Sequence, residues 1–71
     1  MMKVKKKTDL TVGEKLRKLR GKKTKSAVAS DLGISRSAYV KYERNERTPG
    51  DVMKVKLAEY FGCSVASIFF E

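Results

Sequence analysis

The stretch Lys25-Ser26-Ala27-Val28-Ala29-Ser30-Asp31-Leu32-Gly33-Ile34-Ser35-Arg36-Ser37-Ala38-Tyr39-Val40-Lys41-Tyr42-Glu43-Arg44-Asn45 decides the fold. Thr24, just before it, is a hydroxyl residue suited to cap a helix. Val28, Ala29 and Leu32 then recur at helical spacing, which predicts a helix over Lys25–Leu32. Gly33 stands where a left-handed helix end is expected, and Ile34 turns back toward the core. Ser35 caps a second helix, expected over Arg36–Arg44. On it Tyr39 and Tyr42, at i and i+3, share a face that Ala38 partly joins. Asn45 tolerates positive φ and closes the helix. The segment thus reads as two short helices joined by a tight turn. Small Ala29 lets the second helix cross the first closely, and Val28, Leu32, Ile34, Tyr39 and Tyr42 hold the pair together. The remaining outward residues are short and polar or cationic, so one helix face is held while the other is offered.

The flanks supply three more helices. Thr11-Val12-Gly13-Glu14 has the capping-box pattern, and Val12, Leu16 and Leu19 form the apolar stripe of a first helix ending near Arg20. Gly21 stops it, and Lys22-Lys23 make a basic turn. Thr48-Pro49-Gly50-Asp51 opens a fourth helix, with Thr48 as cap and Pro49 at its first position. It runs to about Phe61 and turns Val52, Val55 and Ala58 inward, with Leu57 and Phe61 beside them. Gly62 ends it, and Ser64 caps a last helix over Val65–Phe70, in which Val65, Ile68 and Phe69 are apolar. No strand-like alternation and no repeat interrupts this pattern. The expected fold is all-α: a bundle of about five short helices over residues 11–71, preceded by a flexible basic arm over residues 1–10.

Composition narrows the function. The chain has 71 residues, a formal net charge of +9, no His and one Cys. A domain this small has one modest core and little room for a deep substrate cleft. A lone Cys63 allows no internal disulfide, and without His or further Cys no zinc site is expected. Cys63 reads as a small apolar residue near a helix junction. Asp31, Glu43 and Glu59 show no paired-carboxylate spacing, and no glycine-rich phosphate loop is present. No catalytic residue, metal or cofactor is therefore assigned. The positive charge favours a polyanion: DNA, RNA or an anionic membrane surface. A membrane-surface role would need bulky apolar residues beside the Lys3–Lys7 cluster, and only Val4 is there. No apolar run is long enough to span a bilayer, and none follows the basic start as a secretory signal requires, so a cytoplasmic location is expected.

With these residues in view the chain resembles the Cro/C1-type phage repressor family, also called the XRE family, whose members carry a helix-turn-helix. The carrying residues are Ala29, Leu32-Gly33-Ile34-Ser35, Tyr39, Tyr42-Glu43 and Arg47-Thr48-Pro49. Leu57 to Gly62, with Ser64-Val65 and Ile68-Phe69, matches the family's last two helices, so the resemblance spans about residues 12–70. It implies a sequence-specific transcriptional regulator of double-stranded DNA, and a repressor in particular. It also implies that the second helix of the motif enters the major groove. Arg36, Ser37 and Lys41 match base-facing positions, and Arg can bond guanine O6 and N7 in a fork. Lys25 and Ser26 match the helix end that rests on the DNA backbone, while Ser35, Arg44 and Arg47 would meet further phosphates. Glu43 matches a position that pairs with an arginine of the first helix, here Arg20. The expected partners are duplex DNA and a second copy on a two-fold operator, with Ile68-Phe69-Phe70 as the candidate dimer surface.

Three departures from the family stand out. Lys25 replaces a frequent Gln. Glu43-Arg44-Asn45 replaces the usual Glu-Asn-Gly. The connection from Arg20 to Lys25 is about two residues shorter than common. The same fold also serves antitoxins and excision-control proteins that act mainly through a protein partner.

Overall fold

The computed structural model describes residues 10–70. The expected arm, with Lys3–Lys7, lies outside them apart from Leu10. Five helices follow in order: α1 Val12–Arg20, α2 Lys25–Leu32, α3 Arg36–Glu43, α4 Asp51–Phe61 and α5 Val65–Phe69. No strand occurs among the described residues, and the fold is all-α.

Local chemistry accounts for most helix ends. Thr11, Thr24, Ser35 and Ser64 all hold extended backbone, and each side chain accepts the N–H three residues on. At Thr11 the bond is returned, because Glu14 Oε1 accepts the Thr11 N–H at 2.9 Å. Each such cap is worth about 1 kcal/mol. Gly33 and Gly62 end α2 and α4 in the left-handed region, with φ of 75° and 72°, where a side chain is costly.

Tertiary packing then fixes the bundle. α3 packs on both α1 and α2, α4 on α2 and α5, and α5 on α1. The core they enclose is Leu16, Val28, Ala29, Leu32, Tyr39, Tyr42, Leu57, Ala58 and Ile68. Full burial of each larger aliphatic side chain contributes about 1.5–3 kcal/mol. Ile34, Met53, Tyr60, Phe61, Cys63 and Phe69 pack around it, partly buried.

The structure corrects the expected facing and bounds of several residues. Leu19 is 39% exposed rather than inward. The inward face of α1 is Val12, Gly13, Leu16 and Arg20, which puts Leu19 at its edge. On α4 the order is reversed: Val52 and Val55 are 76% and 46% exposed, while Met53, Leu57, Tyr60 and Phe61 turn inward. The helix carries apolar residues on two faces, so periodicity alone does not choose between them. α4 also starts later than expected. Gly50 is its N-cap, without a side-chain bond, and Pro49 is buried ahead of it. α3 ends at Glu43 and α5 at Phe69, one residue earlier than expected in each case.

Candidate nucleic-acid interface

The two faces of α3 have opposite characters. Tyr39 and Tyr42 are buried, while Arg36, Ser37 and Lys41 are exposed and Val40 is half-buried. Arg36, Ser37, Val40, Lys41, Arg44 and Glu46 line one shallow open concavity. The structure thus brings together the three expected base-facing residues. Arg44 is exposed with its Nε 3.3 Å from Glu46 Oε2, an exposed pair worth little that another anion can replace. Arg47 is exposed as well, one residue before Thr48-Pro49.

At the start of α2, Thr24 Oγ1 accepts the Ala27 N–H at 3.0 Å. Helical geometry leaves the preceding N–H groups of Lys25 and Ser26 without intrahelical acceptors. Ser26 is exposed and Lys25 half-exposed. A cation and outward N–H groups together at a helix N-terminus suit an anion. Ser35 Oγ accepts the Ala38 N–H at 3.0 Å. Its lone pair serves the cap, and its hydroxyl proton remains available to donate.

Behind this surface α3 is fastened to α1 at two points. The first is ionic. Arg20 Nε and Nη2 donate to Glu43 Oε2 and Oε1 at 2.7 and 3.2 Å, and Nη1 donates to the Lys23 carbonyl at 2.7 Å. The side chains are only 15% and 4% exposed. Burial pushes the Glu43 carboxyl up, but the Arg20 bonds, the nearby Tyr39 hydroxyl and the charges of Arg20 and Lys25 outweigh it and hold it below the usual carboxylate range. The bond to Glu43 raises the Arg20 guanidinium in turn. The Tyr39 hydroxyl is buried beside this pair without a hydrogen bond of good geometry, and burial drives its pKa up.

The second fastening has no local signature in the sequence. Asn45 holds φ 61°, as expected of a helix-closing residue, and its side chain also bridges to α1. Its Oδ1 accepts the Gly13 N–H at 2.9 Å, and its Nδ2 donates to Thr11 Oγ1 at 3.1 Å. Gly13 is buried against the end of α3, where a Cβ would overlap the Glu43 carbonyl. The Asn that departs from the family's Gly at this position thus gains two bonds that Gly cannot make.

A third cluster, also without a local signal, ties the α1–α2 turn to α4. Lys23 Nζ donates to the Tyr60 hydroxyl at 2.8 Å, and that hydroxyl donates to Asp31 Oδ2 at 2.6 Å. Hydrogen bonding to Tyr60 is the main cause of the raised Lys23 pKa.

A family model described as helix-turn-helix matches residues 14–68. The chain belongs to the Cro/C1-type helix-turn-helix family. The match spans every helix from within α1 to within α5. This is a family of DNA-binding domains, and the chain is a DNA-binding regulator of the Cro/C1 type. In such a domain the motif is α2, the Gly33 turn and α3. No individually characterised protein matches the sequence. Among the described residues no group of His, Cys, Asp and Glu is arranged to hold a metal ion. No helix there is long and apolar enough to cross a membrane.

Proposed function

We propose that this Cro/C1-type protein binds duplex DNA sequence-specifically and acts as a transcriptional repressor in the cytoplasm. The observation that carries this reading is the division of α3. One face is locked into the core and clamped to α1, and the other offers Arg36, Ser37 and Lys41 to solvent. A helix presented in this way can lie in the major groove with its first turn at the base edges. Arg36 then bonds guanine O6 and N7, Lys41 reaches a guanine further along, and Ser37 accepts or donates to either base type. Lys25, Ser26 and Ser35 hold phosphates on one side of the groove, and Arg44 and Arg47 on the other. These contacts set register and affinity rather than sequence. Counting Lys25, Arg44 and Arg47, each copy releases about three counterions, so log K falls against log salt with a slope of about −3 per copy.

One small domain makes few base contacts, which favours a homodimer on a two-fold operator with half-sites about 34 Å apart. Of the three residues expected at the dimer surface, Ile68 is 1% exposed and serves the core instead. Phe70, at 69% exposure, is the residue of the three left open to a partner.

Selection of bound duplexes from a random pool tests the reading. Arg36→Ala should cost about 1–3 kcal/mol and relax the preference at one base pair. Lys25→Ala should weaken all sequences alike and make the salt slope about one unit shallower. An Arg36→Ala protein with an unchanged preference matrix refutes the assignment of Arg36 to a base.

A further inference from the structure

α2 leads into both halves of the proposed DNA contact. Its first residues, Lys25 and Ser26, form the phosphate end, and its last turn runs through Gly33 to Ser35 and Arg36. The far end of α3 is fastened to α1 through Glu43 and Asn45, but its first turn takes its place from α2. Whatever fixes α2 therefore fixes where Arg36 and Ser37 stand.

One row of α4 grips α2 at both ends. Lys56 and Tyr60, at i and i+4, share a face. Lys56 Nζ donates to the Leu32 carbonyl at 3.2 Å. That carbonyl is among the last four of α2, which have no acceptor role within the helix, and a cation there suits the helix dipole. One turn further on, the Tyr60 hydroxyl donates to Asp31 Oδ2 at 2.6 Å and accepts from Lys23 Nζ at 2.8 Å. Asp31 and Leu32 immediately precede Gly33, and Lys23 immediately precedes the Thr24 cap. Lys56 is exposed and Tyr60 half-buried, so polar bonds of this kind add little to overall stability. Their effect is on placement: α4 holds none of the residues assigned to bases or phosphates, yet it is bonded to the segments on either side of them.

We infer that Lys56 and Tyr60 are positioning residues for sequence reading. They hold α2 in one place against the bundle, and the Gly33 turn passes that setting on to Arg36 and Ser37. The inference rests on the assignment of α3 to the bases. Its signature differs from that of a lost contact. Loss of the Arg36 side chain relaxes one base pair. A loosened α2 lets the first turn of α3 shift as a unit, so preference weakens at the Arg36 and Ser37 base pairs together, and less at that of Lys41, nearer the fastened end. Neither Lys56 nor Tyr60 is assigned to a phosphate, so the sequence-independent part of binding is unchanged.

The experiment takes the whole chain as wild type, Lys56→Met, Tyr60→Phe and Lys56→Arg through duplex selection and titration, at a temperature where circular dichroism shows each fully folded. Lys56→Met and Tyr60→Phe should each lower the affinity ratio between the selected and a scrambled duplex by about three- to tenfold. Both should flatten the preferences at the two adjoining positions and leave scrambled-duplex affinity and the salt slope at wild-type values. Lys56→Arg keeps the donor and the charge and should restore the ratio. Without DNA, the Gly33 and Ile34 amides, which bond back to Ser30 and Ala29, should exchange hydrogen about threefold faster in the first two variants, with the amides of α1 unchanged. Wild-type discrimination or wild-type exchange in those two variants overturns the inference, as does failure of Lys56→Arg to restore the ratio. A salt slope about one unit shallower in Lys56→Met would put Lys56 on a phosphate and also overturn it. A wild-type chain that prefers no duplex refutes the base-reading assignment and the inference with it. A wild type that discriminates beside variants that discriminate equally refutes the positioning role alone.

Discussion

Replacing Arg20 by Met tests how α3 is held. Arg20 gives Glu43 two bonds, at 2.7 and 3.2 Å, and the carboxylate side chain is 4% exposed. Met keeps the length and apolar stem of the side chain but leaves that carboxylate buried without its cation. Breaking a buried pair on one side costs about 3–5 kcal/mol, a large share of the roughly 5–15 kcal/mol that holds a domain together. For a chain of this size each kcal/mol shifts Tm by about 4–8 °C, so the melt should fall by at least about 12 °C. Urea unfolding at pH 7, followed by circular dichroism, reads the free energy directly. The pH dependence follows from the sign of the shift. The folded Glu43 carboxyl lies below its unfolded value. It therefore contributes stability that is present above about pH 4.3, the unfolded carboxylate value, and is lost as pH falls through the folded value. In Arg20→Met the stranded carboxylate instead gains by protonation, so the gap between variant and wild type should narrow on acidification. Adding Glu43→Leu should restore most of the loss, because an apolar pair of similar volume replaces a buried ion pair at little cost. A loss below about 0.5 kcal/mol at pH 7, the range of an exposed pair, would refute the reasoning. So would a double variant no more stable than the single one.

Two further substitutions probe the other fastening. Gly13→Ala should cost about 1–3 kcal/mol by overpacking, since its Cβ meets the Glu43 carbonyl; a thermal melt within error of wild type would contradict the close approach. Asn45→Ala removes two hydrogen bonds and leaves a positive φ, so it should cost about 2–4 kcal/mol in urea. Asn45→Gly loses the same bonds but tolerates the positive φ, so it should cost less than Asn45→Ala, and the reverse order would show that the backbone conformation carries no penalty.

What the sequence makes legible here is chemistry that acts within a few residues. Thr11, Thr24, Ser35 and Ser64 cap helices by reaching three residues ahead, and Gly33 and Gly62 end them by conformation. These marks suffice to outline five helices and the turn between α2 and α3. The tyrosines fall into place too, because their shared face can be counted from spacing. Local chemistry is silent about the facing of α4, where Val52-Val55 and Met53-Leu57 both satisfy helical spacing and only packing against α2 and α5 decides between them. It is silent about Leu19 for the same reason: Arg20, tethered by Glu43 from 23 residues away, takes the inward place. The Asn45 bridge to Gly13 joins residues 32 apart, and only the folded chain brings them together. The outward facing of Arg36, Ser37 and Lys41 fares better, since spacing alone sets them off the tyrosine face of a short helix.

Both fastenings of α3 to α1 lie at the same end. Glu43 and Asn45 hold its last turn, while Arg36 and Ser37, in its first, are tied to the rest only through the Gly33 turn and the packing on α2. In mechanical terms α3 is a cantilever, rooted at its C-terminus and loaded at its tip. A load on the tip would therefore displace Arg36 and Ser37 more than Lys41 and Arg44, which lie near the tethered end.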